Sequence, residues 1–279
     1  LNTDIPELWS ERDRVAVEVL HRAVADGDLL SALMAIEGTG PALGLEAATT
    51  IARLATRVRA AIGGLVEAGP NERLAVLRAI IADDFGLGGD EGDYFAPENS
   101  LLSSVLRRHK GQPILVASVW ILVGQAAGVD VLGVGFPGHF LALVDGLYVD
   151  VFAGGVALGP DELRALGERV MPGRRFDPQW LAIVDMRAIA ERVLRNLTHA
   201  HQQTNDQFSR YRALRLLAGL RSEDPALQLE VAMLTEAFGA WSECRELYRR
   251  ILKAFPGTRE AQVAELRRLE LQQKERLLH

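Results

Sequence analysis

Asp145 and Gly146 stand between two apolar runs, FLALV before and LYVDV after. An Asp-Gly pair in that position predicts a two-residue β-hairpin loop of type I′, because both central residues of such a turn need positive φ. The turn fixes the register: Val144 pairs with Leu147, Leu141 with Asp150, and His139 with Phe152. Side chains alternate between faces along a strand. His139, Leu141 and Leu143 therefore share a face with Tyr148, Asp150 and Phe152. His139 and Asp150 become diagonal cross-strand neighbours, roughly 7–8 Å apart at the backbone. An Asp so placed accepts a hydrogen bond from one imidazole nitrogen and sets its tautomer. The ring of His139 is expected between Phe136 and the start of the helix that precedes the hairpin. A one-residue slip in the turn would separate the pair and leave an ordinary His and Asp on a strand face.

That preceding helix is read from Gly111-Gln112-Pro113 and an uncharged run to Val129. Proline fits a first helical turn, where its missing N–H costs nothing. The run is long enough to suggest a membrane span. Two Gln, a Ser, an internal Gly and the closely following strands indicate a buried central helix instead. Helix, then His, then Asp is the order in which a thiol-hydrolase site is built. A Cys at the helix start would be acidified by the helix N-terminus. Here the early positions are Gln112, Pro113, Ile114 and Leu115, none of them a nucleophile. Ser118 lies about one turn deeper, with no base or oxyanion hole evident for it.

Four stretches, YFAPENSLLSSVLRRHKGQPI, GFPGHFLALVDG, YVDVFAGG and RVLRNL, together resemble the SirB-type branch of the transglutaminase-like superfamily. These are bacterial proteins with a papain-related core and a helical tail of tetratricopeptide type. The resemblance implies an α+β fold: a helix-rich core with a small antiparallel sheet over residues 1–175, then an all-α tail over 176–279. In catalytic members of the superfamily a Cys begins the helix, and a His and an Asp complete a triad. His139 and Asp150 match the last two and are the candidate residual pair. The Cys has no match, as is usual in this branch, which removes thiol chemistry from the inference. Leu115 stands where the branch often has Ser, and Val151 where it often has Pro.

Composition narrows the function classes. The chain has 279 residues, 48% hydrophobic and 24% charged, an ordinary globular balance that allows one large or two modest domains. A formal charge of −6 argues against broad nucleic-acid or anionic-membrane binding. One Cys, Cys244, excludes an intramolecular disulfide and fits a reducing cytoplasm. The opening LNTDIPELWSERDR is acidic and polar, unlike a signal peptide. It starts at Leu1, not an initiator Met, which is consistent with an upstream segment having been removed.

Before the core, helices are expected from about Pro6 to Val24, capped by Thr3 or Asp4, and then to Glu37. A loop over 38–44 follows, then helices over 45–67 and 71–85. Residues 86–97 hold three acids and four Gly. They read as a solvated loop, since the ligand spacing of an EF-hand is absent. Asn99 or Ser100 caps the next helix, which His109 ends. A zinc site would require His109, His139 and Asp150 to converge, and no short-range ligand spacing supports that. Residues 171–178 read as a linker. Beyond Met186 the chain reads helical, and the segment from Asp224 to Gly257 resembles one tetratricopeptide repeat, with Cys244 as a packing residue.

Two main functions fit. One is a non-catalytic protein-interaction or regulatory module whose tail binds another protein or peptide. The other is a hydrolase or transferase using His139 and Asp150 as a general-base pair without a thiol. A small-molecule or metal-dependent regulator is a third. No cofactor or metal is expected, and no nucleic-acid or membrane partner.

Overall fold

The structure, a computed structural model, describes residues 8–38 and 41–278. The chain divides into two compact units: Val19–Asn196, and Leu197–His279 together with the chain up to Glu18. The fold class is α+β, as expected.

The first unit is organised around α6 (Pro113–Ala127). Pro113 occupies its first turn and Gln112 its N-cap, and Gly128, at φ 85°, closes it with its N–H on the carbonyls of Gly124 and Gln125. The helix is buried almost all round, Trp120 completely. A Cβ on Gly124 would lie 2.3 Å from Val131, so only glycine lets the following strand approach this closely. Among the described residues no helix is long and apolar enough to cross a membrane.

The sheet is an antiparallel meander, β3 (Val131–Val134), β4 (Leu141–Val144), β5 (Leu147–Asp150) and β6 (Val156–Ala157). Asp145 (φ 43°) and Gly146 (φ 88°) form the expected turn. Val144 pairs with Leu147, Leu143 with Tyr148 and Ala142 with Val149, so the register is the one the Asp-Gly turn dictates. His139 itself lies two residues before β4.

Upstream, α1 (Glu11–Asp26), α2 (Leu29–Glu37) and α3 (Pro41–Gly63) differ from expectation mainly at their ends. The proposed caps Thr3 and Asp4 and the start at Pro6 lie outside the described residues. Helix α3 begins at Pro41 rather than near Leu45, because Pro41 again serves as a first-turn proline. Helix α4 (Pro70–Arg78) continues as a π-helical turn, Ala79–Asp84, in which Phe85 N donates to the Ile80 carbonyl at 3.1 Å.

Residues 86–97 are less solvated than expected. β1 (Gly88–Gly89) pairs in parallel with β2 (Lys110–Gly111), and Asp90 is buried. Arg108, from α5 (Leu102–Arg108), reaches Asp90 Oδ2 at 2.8 Å and Asn99 Oδ1 at 2.8 Å. Asn99 and Ser100 do not cap α5, whose N-cap is Leu101 without a side-chain bond. Both are buried, and their polar atoms meet other partners instead: Asn99 Nδ2 donates to the Asp93 carbonyl and Ser100 Oγ to Gln112 Oε1.

The two compact units divide the chain inside α8 (Met186–Gln203), between Asn196 and Leu197. The chain after α7 (Pro160–Val170) returns to the sheet edge: Ile183 bridges Val134, Gly135 N donates to Ala182 O at 3.3 Å, and Val184 N to Gly133 O at 3.0 Å. These bonds tie residues beyond the supposed linker to the core.

The second unit contains α9 (Gln207–Leu220), α10 (Pro225–Ala237), α11 (Trp241–Ala254) and α12 (Arg259–Leu278). Ala232, Cys244, Tyr248, Ile251, Ala264 and Leu271 form one core of the last three.

Candidate functional site

The hairpin register delivers His139 to Asp150. Nε2 of His139 lies 3.0 Å from Asp150 Oδ1, and the two side chains retain only 11% and 8% of their exposure. The same oxygen accepts from Phe152 N at 3.1 Å and Ala153 N at 3.2 Å, while Gly155 N donates to the Asp150 carbonyl at 2.9 Å. Burial alone would raise the Asp150 carboxyl. The hydrogen bond from His139 and those from the two amides outweigh it and hold the group below its ordinary value. A carboxylate accepting from Nε2 assigns the proton to that nitrogen. Among the described residues Nδ1 makes no hydrogen bond. The ring packs edge-on against Phe152, at 5.8 Å and 82°, and not against Phe136 as expected. Phe136 contributes its carbonyl to His139 N, at 3.1 Å, and turns its ring to Trp180, at 5.9 Å.

At the head of α6 the N-cap Gln112 is held at both ends of its amide. Oε1 accepts from Ser100 Oγ at 3.0 Å and from Asn196 Nδ2, and Nε2 donates to the Tyr94 carbonyl at 3.1 Å. Ile114 and Leu115 behind it are fully buried. Arg192, one turn before Asn196 on α8, donates to the carbonyls of Phe136 at 3.3 Å and His139 at 2.6 Å, with its guanidinium 5.3 Å from the Phe140 ring centre. Burial lowers its pKa and raises that of Tyr94 nearby. Tyr94 in turn meets the Phe152 ring at 6.1 Å. Thus Tyr94, Gln112, His139, Asp150, Arg192 and Asn196 form one connected cluster. Sequence reasoning assigned roles only to His139 and Asp150. The available signal for Arg192 and Asn196 was their i, i+4 spacing, which sets both on one helix face.

The other candidates are not drawn into this cluster. Ser118 is buried and its hydroxyl donates to the Ile114 carbonyl at 2.7 Å, within its own helix. His109 takes the left-handed conformation that ends α5 and stacks on Phe85 at 4.2 Å. Among the described residues no three His, Cys, Asp or Glu side chains are placed to hold a metal ion. Cys244 belongs to the other unit and is completely buried in α11, and burial, with the charge of Glu236, pushes its thiol up to about 11. Alkylation of native protein at neutral pH is therefore expected to run at least about a hundredfold slower than in denatured chain. Equal rates would contradict a sealed thiol.

A helix leading into a short antiparallel sheet, with a His–Asp pair across its hairpin, is the layout of a transglutaminase-like core. Residues 46–195 match the profile of the Transglutaminase-like superfamily, and the chain belongs to that superfamily. It is 32% identical to a UPF0162 protein of Xylella fastidiosa over 197 residues, covering 67% of this chain and 69% of that one. A UPF0162 protein of Vibrio cholerae is 27% identical over 46% of this chain and 49% of its own length. The mouse F-box only protein 21 is 25% identical over 61% of this chain and 29% of its own length. No solved structure matches.

Proposed function

We infer that the chain is a non-catalytic transglutaminase-like protein of the SirB type, acting in the cytoplasm as a protein-interaction or regulatory module, with a tetratricopeptide-like tail that binds another protein or peptide. The observation that carries this reading is Gln112. It stands where the nucleophile would have to be, its amide is engaged at both ends, and the chain's one thiol is sealed and protonated in another unit. With neither thiol nor substitute at the helix head, His139 and Asp150 serve as a structural clasp on the hairpin. The helix-pair pattern of the tail, with Cys244 and Tyr248 as packing residues, supports the repeat assignment.

A second reading has one observation in its favour. Among the described residues Nδ1 of His139 makes no hydrogen bond, and Asp150 bonded to Nε2 fixes the tautomer that leaves a lone pair there. A hydrolase or transferase could use that nitrogen as a general base. The test is to incubate the wild-type chain and His139→Ala with a glutaminyl peptide plus a primary amine, and separately with peptide and ester substrates. Neither is expected to exceed the uncatalysed rate. Turnover that disappears in a folded His139→Ala protein would transfer the assignment to the second reading. Failure of any protein to co-purify with the intact chain would remove the interaction half of the first.

A further inference from the structure

Trp9 lies two residues before the start of α1 and is 5% exposed. Its indole meets Tyr211 edge-on at 6.1 Å, and the Arg215 guanidinium lies 4.6 Å from its ring centre. One turn later Asp13 accepts from Arg212 Nε at 2.8 Å, in a pair largely shielded from solvent. Asp13 also accepts from Ser10 Oγ at 2.6 Å, and the Asp13 amide donates to Ser10 Oγ at 3.3 Å, a reciprocal cap that presets the helical turn between the two anchors. Both receiving arginines and Tyr211 lie on one stretch of α9. Around these anchors the segment is exposed at Glu11, Arg14, Val15 and Glu18. Its polar and aromatic anchors on α9 are an aromatic side chain and a carboxylate four residues apart, beside the buried Leu8 and Ala16.

The groove extends beyond what this segment fills. Two adjoining hollows of about 470 and 570 Å³ share Trp9, Arg215 and Leu247 in their walls, and Val231 and Ile251 line the first. A ligand with the same two anchors and a longer apolar face would bury the surface that Trp9 leaves uncovered.

We propose that residues 9–13 are an exchangeable internal ligand, and that this groove docks a helical segment of another protein bearing an aromatic residue and, four residues on, a carboxylate. The proposal rests on the interaction reading above and names the partner's chemistry. The tethered segment competes at high effective concentration, so an external segment meets the groove only in the fraction of molecules where it is vacated.

The test uses the full chain and a fluorescent peptide copying residues 8–22, read by anisotropy. Wild-type chain is expected to bind it at least about tenfold more weakly than Trp9→Ala/Asp13→Ala, whose internal ligand lacks both anchors. Adding Arg212→Ala and Arg215→Ala to that variant should abolish binding, as should replacing the peptide's own Trp and Asp by Ala. Equal binding by wild type and the double variant, or none by a double variant that retains its helical circular dichroism, overturns the proposal. If the double variant loses that signal, Asp13→Asn replaces it, with a gain of about threefold expected and no gain counting against. These outcomes do not touch turnover at His139, so failure here is distinguishable from failure of the non-catalytic reading.

Discussion

Asp150→Ala is expected to melt well below the wild-type chain, with a loss of about 3 kcal/mol in the Val19–Asn196 unit. The substitution strips one acceptor from three donors at once: His139 Nε2 and the amides of Phe152 and Ala153. Each buried donor left without a partner costs roughly 1–3 kcal/mol, partly relieved by local relaxation. His139→Ala removes one of those bonds and should cost about 1–2 kcal/mol. The double variant should lose less than the sum of the singles, because both remove one shared interaction. Thermal melts of the four proteins measure this. Strict additivity, or no loss in either single, would sink the structural clasp, and stability left intact with an activity abolished would favour a general base. The cycle also has a pH signature. The Asp150 carboxyl is held below its unfolded value near 3.9. Its contribution is therefore fully present above that value and is lost as pH falls through the folded one. The gap between wild type and Asp150→Asn should be complete at pH 5–7 and shrink below about pH 4.

Gly155→Ala should be as damaging, at about 3 kcal/mol, while its neighbour Gly154→Ala should cost only about 1 kcal/mol. Both glycines have φ near +80°, where an L side chain is strained. The space around them differs. A Cβ on Gly154 meets nothing within 4 Å, whereas on Gly155 it would lie 2.6 Å from Cη2 and 2.8 Å from Cζ2 of Trp120, a fully buried ring in the middle of α6. Relief would require moving that ring or the turn that carries the Asp150 amide donors. Denaturant midpoints of the two variants give the comparison. Equal losses would mean that the tight seat on Trp120 is absent in solution.

What the sequence revealed was whatever is decided locally. The Asp145-Gly146 turn is a two-residue backbone requirement, and everything about the His139–Asp150 contact follows from its register. The bounds of α6 follow equally from Pro113 and Gly128. Features decided by distant partners were not legible. Asn99 and Ser100 have the chemistry of helix caps, yet the same polar atoms satisfy Arg108, Gln112 and the Asp93 carbonyl. Asp90 looks like one of several loop acids until Arg108 is brought to it. Trp9 and Asp13 read as the start of an N-terminal layer, although their partners lie about two hundred residues away, on α9. The contacts of residues 178–196 with the sheet were hidden for the same reason. Residues 178–196 carry no composition that ties them to the sheet; Ile183 and Arg192 do so through backbone groups of β3 and the loop after it.

Helix α8 begins in one unit and ends in the other, and its first half carries Arg192 and Asn196, which bind the His139 loop and Gln112. The last residues that serve the core and the first of the tail thus lie on one helix. Recombination could not splice a different tail onto this core at a loop without also deleting core residues. A chain wired this way is inherited whole, and insertions in its descendants should accumulate in the surface turns, not at that junction.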